Sequence, residues 1–491
     1  MFFLIFIAQL ALTTYKIGNV GFWYDECFSV NCADRPIADI IEVSRTDQNP
    51  PLYPIILHYW ISYFGITEFA VRMLSAIASS LACSFLFLFA MRFFNWQTAV
   101  FATLMYFTSN DLFYYSQEAR TYAIITLVVI LSNFCFLAIS QNPKIWKGIM
   151  LGIFLGLLNI SLFYLHYLSC FMIVAQGILF PIFFTTNPGF LKDGGRLLIS
   201  ASYNINFLIY YLISWIVFFI IFYPWLERFM FLVTEGGKSF WLAKPSSWDF
   251  KHTIYELFNS KENYQAYIYS FVLIVLLLII KRFRSEKINV KFLLFALISG
   301  PILIFINYEV AQISPVFLKR YVLFTFIGFI LTFSYVFSLL KLRFEYKFLI
   351  AFCLAFYAML HMKVPRESYY DYKEAVPYLI SKKHENTLIT TDMPDLFSYY
   401  FARNDIFRVK EYGTKAKLLA DRGIYVQYDL AWVNREDLSK YKDIYYTRSF
   451  DDYSDPNGLV DKALKEKFEL VDENRNYKGL KISHFINKNY K

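Results

Sequence analysis

Apolar positions run in long, nearly unbroken blocks along this chain, separated by short polar turns. A helix needs roughly 20 apolar residues to cross the hydrocarbon of a bilayer. The blocks predict about 11 such spans. They run from Phe2 to about Gly18, Glu68 to Phe94, Gln97 to Leu112, Thr121 to Ser140, Lys147 to Phe163 and Tyr167 to Phe184. Further spans run from Phe207 to Tyr223, Ala266 to Ile280, Phe292 to Ile306, Val322 to Leu340 and Phe348 to Met362. From about Lys363 the pattern turns mixed. Strand-like runs at Thr387–Thr391, Ile424–Tyr428, Ile444–Thr447 and Leu480–Phe485 alternate with helical patterns at Tyr372–Lys382, Thr414–Arg422 and Leu459–Lys467. Such alternation predicts a small α/β domain.

The expected organisation is therefore a polytopic α-helical membrane domain over residues 1–363 and a soluble α/β accessory domain over 364–491. An outer segment over 19–67 follows the first span. That span has no charged n-region or small-residue cleavage site, so it is read as an anchor and not as a cleaved signal peptide. Composition agrees: 57% of residues are hydrophobic and 18% charged, against about 25% charged in soluble domains. The net charge of +9 is no sign of nucleic-acid binding, because the basic residues sit in short loops between spans. Arg92, Lys144, Lys147, Lys192, Arg196, Lys281, Arg282, Arg284, Lys287, Lys291, Lys341, Arg343 and Lys347 all fall on one side. By the positive-inside rule that side is cytoplasmic. The N-terminus is then inside and the C-terminal domain outside, in the periplasm. The outer regions hold no Asn-x-Ser/Thr acceptor, which points to a bacterial inner membrane. Cys27 and Cys32 share the outer segment, either as a disulfide or as two free thiols.

The chemistry gathers on the outer side. Asp25 and Glu26 follow Phe22, Trp23 and Tyr24, aromatics of the kind that settle at the membrane interface. Acidic residues held against a membrane read as functional by default, although capping a surface helix is the bland alternative for Asp25. Between spans three and four lie Gln117, Glu118, Arg120 and Tyr122; His166 lies between spans five and six. Lys319, Arg320 and Tyr321 precede span ten. Snorkelling at a helix end is the structural alternative for both arginines, and a hydrogen-bonded interface role is that for His166.

Several stretches together resemble the GT-C membrane glycosyltransferases. They are Asp25-Glu26, the run Asn49-Pro50-Pro51-Leu52-Tyr53, Glu68-Phe69-Ala70-Val71-Arg72, and Tyr115 to Tyr122. Ser314-Pro315 with Lys319-Arg320-Tyr321 is similar too. Among these enzymes the likeness is to glycosyltransferase family 39, with its protein O-mannosyltransferase, aminoarabinose-transferase and Rgt-type galacturonosyltransferase relatives. It is strongest over about residues 20–140 and absent from the C-terminal domain. Many relatives carry His where this chain has Asn49, so no metal role is carried over there.

The resemblance implies a sugar donor on a polyprenyl phosphate, used at the outer face and transferred with inversion to a glycan, lipid or protein hydroxyl. Such chemistry needs a carboxylate near the acceptor hydroxyl, a role expected of Asp25 with Glu26 beside it. A lipid-phosphate leaving group needs permanent charge and a forked donor, expected of Arg120, Arg320 and Lys319. Gln117, Glu118, Tyr122, His166 and Tyr321 are the expected substrate-binding residues. Metal dependence is left open; Glu118 and His166 could share a divalent cation. Acceptor choice would lie in the 224–265 loop and the C-terminal domain. The competing class is a lipid or polysaccharide transporter, which tends to place charged sites at the bilayer midplane within internal repeats. Neither feature is visible here.

Overall fold

A computed structural model describes residues 1–193, 196–234, 242–283, 288–427, 432–435, 437–449, 455, 457–474, 477–488 and 490. Arg284, Lys287, Tyr428 and part of the 224–265 loop lie outside the described residues. The chain is a multi-pass helical membrane protein. Among the described residues, 8 helices are long and apolar enough to cross a bilayer: Glu68–Phe93, Tyr122–Ser140, Ile145–Leu165, Tyr167–Phe184, Ile205–Thr234, Lys261–Ile279, Val290–Ala311 and Lys319–Ser338.

The other three expected spans are shorter helices. Phe2–Thr14 has 13 residues, Trp96–Phe107 has 12 and Phe344–Met359 has 16. At 1.5 Å per residue such helices fall short of the hydrocarbon thickness of about 30 Å. The break after Phe107 is local in origin. Ser109 accepts the Leu112 N–H and so starts a new helix, Asn110–Ser116, as expected of a serine N-cap.

The chain forms two compact units. The first joins Met1–Tyr15, Ile41–Tyr53 and Met73–Lys363. Small residues set a close helix contact within it: a Cβ on Gly152 would meet the Tyr210 carbonyl at 2.6 Å, and one on Gly156 the Ser214 carbonyl at 2.5 Å. Helix Ile145–Leu165 therefore packs backbone to backbone on helix Ile205–Phe222, a common arrangement in membranes. Inside the spans Ser132, Asn159, Gln176 and Asn133 hydrogen-bond to one another. Uncharged side chains thus join three helices. An antiparallel ribbon, β1 (Thr185–Asp193) with β2 (Arg196–Tyr203), completes this unit.

The second unit joins Lys16–Ile40 and Pro54–Arg72 to Val364–Lys491. Its sheet holds β3 (Thr387–Thr391), β4 (Ile424–Val426), β5 (Asp443–Arg448), β6 (Glu469–Asn474) and β7 (Lys481–Ile486), in the order β4-β3-β5-β7-β6. β3 is parallel to both β4 and β5, while β7 pairs antiparallel with β5 and β6. Every residue of β3 is buried, as expected of a central parallel strand covered on both faces. The helices Tyr372–Ser381, Tyr412–Ala420 and Leu459–Lys467 fall close to where the pattern predicts them.

Candidate active site

In the second unit the acidic pair opens the helix Tyr24–Ala33. Its two carboxylates have different surroundings. Asp25 is half-buried, and its backbone carbonyl accepts the Ser29 hydroxyl at 2.8 Å. Glu26 is fully buried. It reaches back to accept the Trp23 N–H at 3.3 Å and so caps the start of its own helix. Arg72, also fully buried, donates Nε to Glu26 Oε1 at 2.8 Å and Nη2 to Oε2 at 2.7 Å. Arg366 Nη1 adds a bond to Oε1 at 3.2 Å. The other Arg72 N–H groups bond the carbonyls of Ile17 (2.9 Å), Val20 (2.6 Å) and Gly21 (2.8 Å). All the guanidinium donors of Arg72 are thereby used. With this many partners, Glu26 fixes the turn that carries Asp25.

Glu68 does similar work one helical turn earlier. It accepts the Tyr400 hydroxyl at 3.1 Å, and the Tyr399 hydroxyl, which donates to the Ile66 carbonyl at 2.7 Å, lies 3.4 Å from its other oxygen. Tyr400 in turn accepts the Phe22 N–H at 2.7 Å. Burial, then the Glu68 charge, holds the Tyr400 phenol above its ordinary range and keeps it protonated. Lys373 Nζ bonds the carbonyl of Gly18 at 2.7 Å. None of Glu68, Arg72, Arg366, Lys373, Tyr399 or Tyr400 has a predicted role from its surroundings in sequence. The signals in the sequence were the resemblance carried by the run from Glu68 to Arg72 and the placing of those two charges at i and i+4 in an otherwise apolar helix start. Cys27 and Cys32 are free, buried thiols.

In the first unit the structure brings Arg120, Arg320, Tyr122, His166 and Tyr321 together. The His166 ring lies 4.6 Å from Tyr321 and 6.4 Å from Tyr122, centroid to centroid. The Arg320 guanidinium sits 5.4 Å from the Tyr321 ring. Removal from water, and then the charges of Arg120 and Arg320, push the imidazole down to about 3. His166 Nδ1 accepts the Leu168 N–H at 3.3 Å and caps the turn that follows. The ring is thus neutral, with its proton on Nε2. A histidine NMR titration should show no protonation of His166 near the ordinary value of about 6.5. A transition there would separate the ring from the two guanidiniums.

The other expected residues have structural partners. Gln117 Nε2 donates to the carbonyls of Thr13 at 2.9 Å and Tyr15 at 2.8 Å, closing the end of the first helix. Glu118 is buried, and its carbonyl accepts the Arg120 N–H at 2.8 Å. Lys319 lies between two carboxylates, Asp111 at 3.0 Å and Glu256 at 3.3 Å. Its charge is already balanced, unlike the free cation expected of a phosphate ligand. Asn49 bonds Asp47 at 3.0 Å. Among the described residues, no three His, Cys, Asp or Glu side chains lie close enough to hold a metal ion together.

No family model matches the chain, and comparison with curated proteins finds no match. Solved structures do match it over nearly its full length. One is ArnT from Cupriavidus metallidurans in the apo state, at 11% identity with a TM-score of 0.56. Another is ArnT from the same organism bound to undecaprenyl phosphate, at 12% identity with a TM-score of 0.56. Each alignment covers 98% of this chain and 97% of that one. At this identity the likeness shows the fold: this chain is folded as these ArnT structures are, a many-helix membrane fold of the kind its motif resemblance led us to expect.

Proposed function

We propose that the chain is an integral membrane glycosyltransferase. It transfers a sugar from a polyprenyl-phosphate donor to an envelope glycan, lipid or protein hydroxyl at the outer face of a bacterial inner membrane. The observation that carries this reading is the pair of arginines around the neutral His166 ring. Two permanent cations with forked donors suit the oxygens of a phosphate, and a neutral histidine adds an N–H donor without a proton to lose. The ArnT likeness adds support, since that protein binds undecaprenyl phosphate.

In this reading Asp25 takes the proton of the acceptor hydroxyl as its oxygen attacks the anomeric carbon. The bond from that carbon to the phosphate oxygen breaks, and its electron pair leaves with the lipid phosphate. Arg120 and Arg320 stabilise the charge that develops there, often the largest single catalytic contribution. Tyr122, His166 and Tyr321 line the donor position. Glu26, Lys319 and Gln117 position the surrounding turns.

Titration with undecaprenyl phosphate tests the assignment. Arg120→Ala and Arg320→Ala should each weaken binding roughly ten- to a hundredfold, the worth of one charge-assisted hydrogen bond. Arg→Lys should rescue only in part, because an ammonium loses the fork. Unchanged affinity in both lysine variants, with only thermal stability altered, would return both arginines to snorkelling.

A further inference from the structure

The sheet of the second unit carries a polar cluster that the transfer step does not use. The chain leaves β3 towards β4 and leaves β5 towards β6 and β7. The carboxyl ends of the neighbouring parallel strands β3 and β5 therefore form a topological switch point, where open α/β sheets bind their ligands. The first residues past the parallel strands are Asp392 after β3, Gln427 after β4 and Ser449 after β5. All three keep part of their surface exposed.

These residues bond one another and their neighbours in the sheet. Ser449 donates its N–H to Asp392 Oδ2 at 2.7 Å and its hydroxyl to Oδ1 at 2.9 Å. The Tyr372 hydroxyl lies 2.6 Å from the Ser449 hydroxyl and 3.1 Å from the same Oδ1, so the two hydroxyls, with one proton each, share their bonds with each other and with that oxygen. Gln427 Nε2 closes the floor, bonding Thr390 Oγ1 at 2.7 Å and the Thr447 carbonyl at 2.9 Å. A carboxylate offers roughly four lone-pair positions. At most three are filled by these groups, so Asp392 has room to accept a further donor.

The segment 369–372 connects this cluster to the Asp25 turn. At one end is Tyr372 on Asp392. At the other, the half-exposed Tyr369 packs on Trp23, two residues before Asp25, with ring centroids 4.9 Å apart. Between them, burial and then the charges of Asp392 and Asp25 push the Tyr370 phenol up to about 12, so both carboxylates act on it.

We propose that the β3–β5 switch point and the Tyr369–Trp23 platform form the acceptor subsite, and that the acceptor is an uncharged or amino saccharide. This rests on Asp25 being the general base. A tyrosine face accepts the C–H face of a sugar ring. Asp392 accepts one ring hydroxyl, and a second hydroxyl further along is presented to Asp25. The carboxylates Asp25 and Asp392 repel an anionic acceptor and favour an ammonium-bearing one. Tyr369 and Asp392 would thus set which acceptor is used.

Saturation-transfer NMR on the full chain in nanodiscs tests this, with glucose, mannose, galactose, N-acetylglucosamine and glucosamine as probes. At least one sugar should receive saturation from the wild-type protein. Tyr369→Ala and Asp392→Asn should each weaken that binding about tenfold or more, while Tyr369→Phe, which keeps the platform, should retain it. Binding of no probe overturns the subsite, and so does equal binding by wild type, Tyr369→Ala and Asp392→Asn. Cleavage of a polyprenyl-phosphate sugar is measured on the same wild-type preparation. Sugar binding without any cleavage would overturn the transferase reading and the acceptor role with it, while keeping a saccharide site at the switch point.

Discussion

Asp25→Asn should cut turnover by about 10²–10⁴-fold, the usual worth of a positioned general base, while leaving stability and donor affinity near their wild-type values. The structure explains why so specific a loss is expected. The turn is held by Glu26, Arg72, Arg366, Tyr400 and Lys373, which bond one another and the backbone carbonyls and amides from Ile17 to Trp23. The Ser29 hydroxyl of the helix behind it bonds the Asp25 backbone carbonyl, a bond that asparagine keeps. Asn keeps the size and one acceptor oxygen but cannot take a proton. The measurement is single-turnover transfer from a radiolabelled polyprenyl-phosphate sugar, with thermal unfolding as the control. Turnover within a factor of two of wild type would make Asp25 structural. Loss of turnover together with loss of stability would place it among the residues that hold the turn.

The membrane helices were legible because apolar blocks of span length have few other uses. The exceptions have local causes. Ser109 ends one block by capping the next helix, a signal that an uninterrupted hydrophobic run conceals. In the sheet, β6 was missed because its sequence Glu-Leu-Val-Asp-Glu-Asn is mostly polar, and the sheet topology puts it at an edge. The site was legible in its residue types but not in its connections. Lys319 lies 208 positions from Asp111, and Arg366 lies 340 from Glu26. No periodicity reports such pairs. Arg72 in an apolar helix start looks like a snorkelling cation, yet its side chain is fully buried and spends every donor on the preceding segment. The same connections change how the C-terminal domain is viewed. It shares a compact unit with Lys16–Ile40 and Pro54–Arg72. Truncation after Met362 would remove Arg366, Lys373, Tyr399 and Tyr400 from that unit, so the domain is integral to the hold on Asp25.

Arg72→Met should be the most destabilising single change in the acidic turn. It leaves the buried Glu26 carboxylate with Arg366 as its remaining arginine partner in this network, and removes the donors bonded to the carbonyls of Ile17, Val20 and Gly21. Breaking a buried ion pair by removing one partner costs about 3–5 kcal/mol, and each orphaned carbonyl adds to that. Arg72→Lys should recover little, because three donors on a flexible stem cannot reproduce the five of the guanidinium fork. Glu26→Gln should cost less than Arg72→Met, since the amide still accepts from one arginine and the backbone carbonyls keep their donor. The double variant Arg72→Met/Glu26→Gln completes the cycle. Its cost should fall well below the sum of the two single costs, because the first change already leaves the second residue without its partner. Thermal unfolding in nanodiscs gives the stabilities, and limited proteolysis reports opening of the segment from Ile17 to Gly21. Simple additivity would mean that the two side chains do not act as a pair. A stable Arg72→Met protein with an uncleaved 17–21 segment would mean that Glu68, Tyr400 and Lys373 hold the turn without it. Either result would move the anchor of Asp25 away from Arg72.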